Sequence, residues 1–242
     1  MRTLGLIGGM SWESTALYYR HLNEIARDRL GGLRSAKLLM WSFDFAEVAD
    51  CQHRGDWDGA AALMVEAAGR LRAGGAEALV ICTNTMHLTA DTVEEASGLP
   101  VLHIADATAQ AVRRTASKRP LLLATRFTME QPFYRERLRE RHGIEVVVPG
   151  EADRALVHGI IYEELCRGIV RPASKAAYLA VIDRLRRAEG ADGVILGCTE
   201  ITMLIDAGDT DMPVFDTTRL HAESAMAYAI DGARADASAA AD

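Results

Sequence analysis

Short apolar runs bounded by glycine, proline or polar residues recur along the chain. They are TLGLIG (3–8), AKLLMWSF (36–43), EALVIC (77–82) and LPVLHI (99–104), then PLLLAT (120–125), IEVVVP (144–149), DGVILG (192–197) and MPVFD (212–216). Runs of this length and content resemble buried strands. Most are separated by Ala- and Arg-rich stretches with helical periodicity, and the alternation predicts an α/β fold on mainly parallel sheets flanked by helices. The last eight residues, ADASAAAD, have no apolar periodicity and are expected to fray.

Slid against itself, the chain matches at a shift of about 115 residues. GGAEALVICTNT (74–85) lies against EGADGVILGCTE (189–200), TALYYRHL against QPFYRERL, and LPVLHIAD against MPVFDTT. Three matches in the same order imply two copies of one βα unit. The expectation is two similar lobes related by pseudo-two-fold symmetry, the first formed by 1–101 plus 214–242 and the second by 102–213. Open α/β sheets bind ligands beyond the carboxyl ends of their strands. The expected active site is therefore a cleft between the lobes.

A chain of 242 residues has room for two such units. Its net charge of -7 repels polyanions, and no stretch interleaves basic residues with aromatics, so nucleic acid is not an expected partner. No apolar run is long enough to cross a bilayer, and the apolar start breaks at glycines too early for a signal peptide, which points to the cytoplasm. Four scattered cysteines, Cys51, Cys82, Cys166 and Cys198, fit free thiols in a reducing compartment. Lys37, Lys118 and Lys175 are the only lysines. None has the setting of a Schiff-base lysine, so no pyridoxal-type cofactor is expected.

The two strand ends VICTNTMH and VILGCTEI are the candidate site, because each buried run breaks into small polar residues before a helix-like segment. In the self-alignment Cys198 falls opposite Thr83, while Cys82 falls opposite Gly197. Successive strand residues point to opposite sides. If Cys198 faces the cleft, Thr83 faces it too and Cys82 leans into the core. A thiol at a helix start is one whose pKa the dipole lowers from about 8.5 toward neutrality, which favours a functional Cys198. Cys51, Cys82 and Cys166 read as small buried hydrophobes. GLIGGMS lacks both nucleotide-binding spacings, GxGxxG and GxxxxGK[ST], and reads as a tight turn allowing close substrate approach. The seven histidines show no metal-ligand spacing, so no metal is expected.

GGMSWES, TNTMH, HIADAT, TRFTMEQ, YEEL, GCTEI and PVFDT, in that order, together resemble the cofactor-independent aspartate/glutamate racemase family over nearly the whole chain. The resemblance implies a small acidic amino acid held between two lobes and one cysteine from each lobe flanking Cα. This chain departs from that pattern where Thr83, not a cysteine, precedes Asn84. It is similar to a branch carrying this threonine and preferring L-aspartate or L-glutamate. By resemblance Cys198 deprotonates the L-enantiomer, and Thr83 relays a proton with water. Donors of Thr83, Asn84, Thr85 and Thr199 would hold the α-carboxylate, with Met10, Ser11, Thr125 and Thr128 lining the same cleft. Gln52 and Arg54 lie near the distal carboxylate, Glu164 holds the ammonium, and Glu200 orients the Cys198 side. A homodimer is implied as well. The rival readings are a single-cysteine decarboxylase, another amino-acid or hydantoin racemase, and a catalytically weak amino-acid binding protein.

Overall fold

A computed structural model describes residues 1–239. The chain divides into two compact units, Met1–His103 with His221–Asp242, and Ile104–Leu220. In the first unit β1 (Leu4–Gly8), α1 (Trp12–Leu30), β2 (Leu38–Ser42), α2 (Phe45–Arg54), α3 (Trp57–Ala73), β3 (Ala78–Ile81) and α4 (Ala90–Ser97) follow in order. A 3-10 turn at Thr85–Thr89 joins β3 to α4. The strands form a parallel sheet in the order β2-β1-β3.

The strand residues sort by parity onto two faces. Leu4, Leu6, Ala78, Val80 and Cys82 pack with Tyr18, Leu22 and Ala26 of α1. Ile7, Leu79 and Ile81 pack on the other face with Val48, Met64, Ala68 and Val93 from α2, α3 and α4. Both faces are covered, which is why these strands read as unbroken apolar runs.

The second unit holds α5 (Ile104–Arg113), β4 (Pro120–Ala124), α6 (Arg126–Glu130), α7 (Pro132–His142), α8 (Glu151–Glu163), α9 (Pro172–Glu189), β5 (Gly193–Gly197) and β6 (Val214–Asp216). Its sheet is parallel with order β4-β5-β6. Proline opens both α7 and α9, where its missing N–H costs nothing. The last helix, α10 (Thr217–Ala239), starts in the second unit and returns to the first, where Ala222, Ala225, Met226 and Ala229 complete the α1 face.

Two expected strands shrink to single bridges. Val101 pairs with Leu79 and Val147 with Leu121, each in parallel. The ladder at Val147 stops because the next donor on that edge falls at Pro149, which has no N–H. The ladder at Val101 stops because α5 begins at Ile104, and the Leu102 carbonyl accepts from His221 Nε2 at 2.6 Å. With these bridges each unit repeats one strand order, edge-first-third-fourth, in agreement with the duplication in the sequence.

The placement of 214–220 in the first lobe is corrected, because β6 pairs with β5 in the second unit. Leu102 and His103, expected in the second lobe, belong to the first, where Leu102 N–H donates to Leu79. Helix α10 runs to Ala239, into the segment expected to fray, and residues 240–242 lie outside the described residues. Among the described residues no helix is long and apolar enough to cross a membrane.

Candidate active site

At the carboxyl end of the first sheet, β1 runs into Gly8-Gly9-Met10-Ser11. A Cβ at Gly8 would meet Thr15 side-chain atoms at 2.5 Å, and one at Gly9, whose φ is 86°, would meet the Phe43 backbone at 2.4 Å. The glycines are required by close approach of the chain's own atoms, where close approach of a substrate was expected. Met10 and Ser11 are both buried, and Ser11 Oγ caps α1 by accepting from Ser14 N–H. Ser14 Oγ in turn donates to the Cys82 carbonyl at 3.0 Å, tying this turn to the end of β3.

Cys82 N–H continues the ladder to Ile7 O at 2.9 Å, and its thiol is fully buried on the α1 and α10 face. Burial pushes that thiol far above the ordinary thiol range. It packs as a small hydrophobe, as the offset in the self-alignment implies. Thr83, the next residue, is only half-buried, and Asn84 and Thr85 behind it are nearly inaccessible. Gln52 reaches the same turn from α2, its buried amide donating to Met86 Sδ at 3.3 Å. Arg54 does not join it. Its exposed guanidinium lies at the end of α2, 3.8 Å from Asp56.

In the second unit, Thr125 follows β4 directly and caps α6, its Oγ1 accepting from Thr128 N–H. This repeats the Ser11 and Ser14 arrangement of the first unit. β5 ends at Gly197, where a Cβ would meet Leu122 Cδ1 at 2.7 Å and Ala124 Cβ at 3.0 Å. Cys198 comes next, with extended backbone, before a 3-10 turn at Thr199–Met203. Its thiol donates to Glu200 Oε2 at 2.9 Å, and Thr199 Oγ1 donates to the same oxygen at 2.6 Å. Thiol, hydroxyl and carboxylate are all buried.

The expected lowering of the Cys198 pKa is overturned. Burial raises it most, and the adjacent Glu200 carboxylate and the Cys166 thiol raise it further. The physical reason is that the following segment is one short 3-10 turn with little dipole to oppose desolvation. Cys166, expected as a small buried hydrophobe, is only half-buried. It lies in a 3-10 turn, Leu165–Arg167, after α8 and packs against the core cluster that contains Cys198. Glu164 is also differently employed, since its two oxygens accept from Ser174 Oγ at 2.5 Å and from Arg171 Nη1 at 3.1 Å at the α8–α9 connection.

The sequence reading missed a buried imidazole array in the first unit. His87 Nδ1 lies 2.7 Å from the Thr83 carbonyl, and His221 bridges Tyr18 and Leu102. The four-residue spacing from Thr83 to His87 on a turn was the available signal. All four cysteines are free, and among the described residues no cluster of His, Cys, Asp or Glu could hold a metal ion.

The second unit thus ends its central strand in a thiol hydrogen-bonded to a buried carboxylate, on a parallel α/β fold whose strand order both units repeat. Residues 7–225 match the family model Asp/Glu/Hydantoin racemase, so the chain belongs to that family and is an enzyme of the racemase class. The broad specificity amino-acid racemase RacX of Bacillus subtilis is 21% identical over 230 residues, 92% of this chain and 96% of that protein. Among solved structures, a candidate Asp/Glu racemase from Yersinia pestis is 54% identical with a TM-score of 0.88, covering 95% of this chain and 100% of its own. An aspartate racemase homologue from Pyrococcus horikoshii OT3 is 35% identical with a TM-score of 0.80, covering 97% and 100%.

Proposed function

We propose that this protein interconverts L- and D-aspartate or glutamate without a cofactor, with Cys198 taking the α-proton of the L-enantiomer. The observation that carries the reading is the 2.9 Å hydrogen bond from the Cys198 thiol to Glu200. In this reading Glu200 Oε2 accepts the thiol proton as the thiolate forms, acting as a general base on a thiol that burial keeps protonated. The thiolate then removes the α-proton, leaving a carbanion whose charge spreads into the α-carboxylate. A proton delivered from water through Thr83 to the opposite face inverts the centre, and Glu200 releases its proton to solvent to close the cycle.

Thr83 is the second group in this reading, the branch-type substitute for a cysteine. Its hydroxyl has no accessible anion near neutral pH, so it relays a proton with water and does not store a negative charge. Enantiomers have equal free energy, so kcat/KM is equal in the two directions and L-preference resides in kcat and KM separately. Asn84 and Thr85 in the first unit and Thr199 in the second, each buried at its own strand end, are the proposed carboxylate-binding set, with Met10, Ser11 and Gln52 of the first unit and Thr125 and Thr128 of the second as further substrate-binding candidates. Free thiols support a reducing, cytoplasmic setting, and the family resemblance supports a homodimer.

Proton NMR of L-glutamate and L-aspartate in D2O, with chirality analysed afterwards, tests this directly. Loss of the Cα signal with appearance of the D-enantiomer, absent in Cys198→Ala, is the expected result. Exchange with retained L-configuration would mean that Cys198 works and Thr83 does not. Carbon dioxide release would favour the decarboxylase, and tight binding without exchange would favour a binding protein.

A further inference from the structure

Thr83 must present its hydroxyl in one direction if it is to hand over a proton, yet it follows the last residue of the β3 ladder and β3 itself ends at Ile81. The peptide before it is held, because Cys82 N–H donates to Ile7 O at 2.9 Å. The peptide after it is held from an unexpected quarter. His87 Nδ1 lies 2.7 Å from the Thr83 carbonyl, and since a carbonyl only accepts, Nδ1 carries the proton.

The His87 ring is itself fixed. It is buried, with the His103 ring centroid 4.6 Å away and the His221 centroid 5.4 Å away. His221 is locked in turn, its Nε2 donating to Leu102 O at 2.6 Å and its Nδ1 lying 2.8 Å from the Tyr18 hydroxyl. The array therefore connects α1, α10, the Val101 bridge and the turn after β3 to one carbonyl oxygen. With both flanking peptides held, the Thr83 backbone torsions are set and so is the direction of its Cα–Cβ bond.

We infer that His87 is a positioning residue that aims the Thr83 hydroxyl by holding the Thr83 carbonyl. The inference rests on Thr83 being the second proton-transfer group. It separates two events that share a substrate: α-proton exchange at Cys198, which His87 does not touch, and inversion, which needs Thr83.

The test follows both events for L-glutamate or L-aspartate in D2O with wild-type protein and the variants H87A, H87N and H87Q. In H87A, inversion falls about tenfold while exchange persists, so the ratio of exchange to inversion rises by the same factor, a misalignment effect. An asparagine amide places a donor near the Nδ1 position and a glutamine amide near Nε2. H87N therefore restores the wild-type ratio and H87Q does not. A general loss of structure would lower both events together, and the Asn/Gln pair keeps the test available if H87A does not fold. A ratio in H87A within about twofold of wild type, or indistinguishable H87N and H87Q, overturns the inference alone. Absence of both exchange and inversion in the wild type overturns the racemase reading and the inference with it.

Discussion

The two strand ends are copies of one design that solve different problems. After β5, Gly197 has no side chain, Cys198 follows, and a carboxylate two residues on takes the thiol's hydrogen bond. After β3, the equivalent of Gly197 is Cys82, sunk in the core, the equivalent of Cys198 is Thr83, and no carboxylate stands at the position of Glu200, which is Thr85. In the proposed mechanism the second unit makes an anion from a buried thiol, while the first holds a neutral hydroxyl in place through a carbonyl and an imidazole. On that reading the duplicated fold lets one half-site keep the ionisable base while the other specialises in orientation.

The largest expected effect breaks the second half-site. Glu200→Gln keeps a hydrogen-bonding partner but removes the proton acceptor, and racemisation near neutral pH should fall by about 10² to 10⁴. The sign of its pH dependence is a second readout. The Glu200 charge raises the thiol pKa, so its removal lowers it, and thiolate then arises only by proton loss to solvent. Activity of the variant should climb with pH where the wild type is nearly flat, and equal slopes for the two would remove Glu200 from proton transfer.

A smaller effect sharpens the contrast between the turns. The first unit inserts Gly9 and Met10 between β1 and its capping serine, whereas Thr125 follows β4 at once. Gly9→Ala would force a Cβ against the Phe43 backbone at positive φ and should cost about 1–3 kcal/mol in chemical denaturation. Stability unchanged within error would mean that the turn relaxes and is not fixed by this contact.

The smallest effect asks whether Cys82 is only packing. Cys82→Ala should cost about 1 kcal/mol, with racemisation near wild-type levels. The folded thiol stays neutral where the unfolded one ionises, so its contribution is complete below the ordinary thiol pKa and is lost as pH rises above about 8.5. The stability gap between wild type and variant should therefore narrow in alkali. A large loss of activity would promote Cys82 to a working thiol and erase the difference between the half-sites.

The apolar runs, their order and the duplication were legible because burial on both faces of a parallel strand leaves a continuous apolar signature. The separate fates of Cys82 and Thr83 were legible too, since a one-residue offset in a strand reverses the side chain. The ionisation of Cys198 was misjudged because helix type and burial decide it, and neither shows in GCTEI. The partners of Glu164, Arg171 and Ser174, were not legible because they become neighbours only when α8 and α9 pack.

By itself the sequence determined the strands and the repetition of one βα unit, both of which follow from local periodicity and residue type. Only the tertiary structure decided which groups act on the strand-end residues. Tyr18 and His221 meet across 203 positions, and Leu102 and His221 across 119. Contacts of that range depend on packing between helix and sheet, which no window of sequence contains.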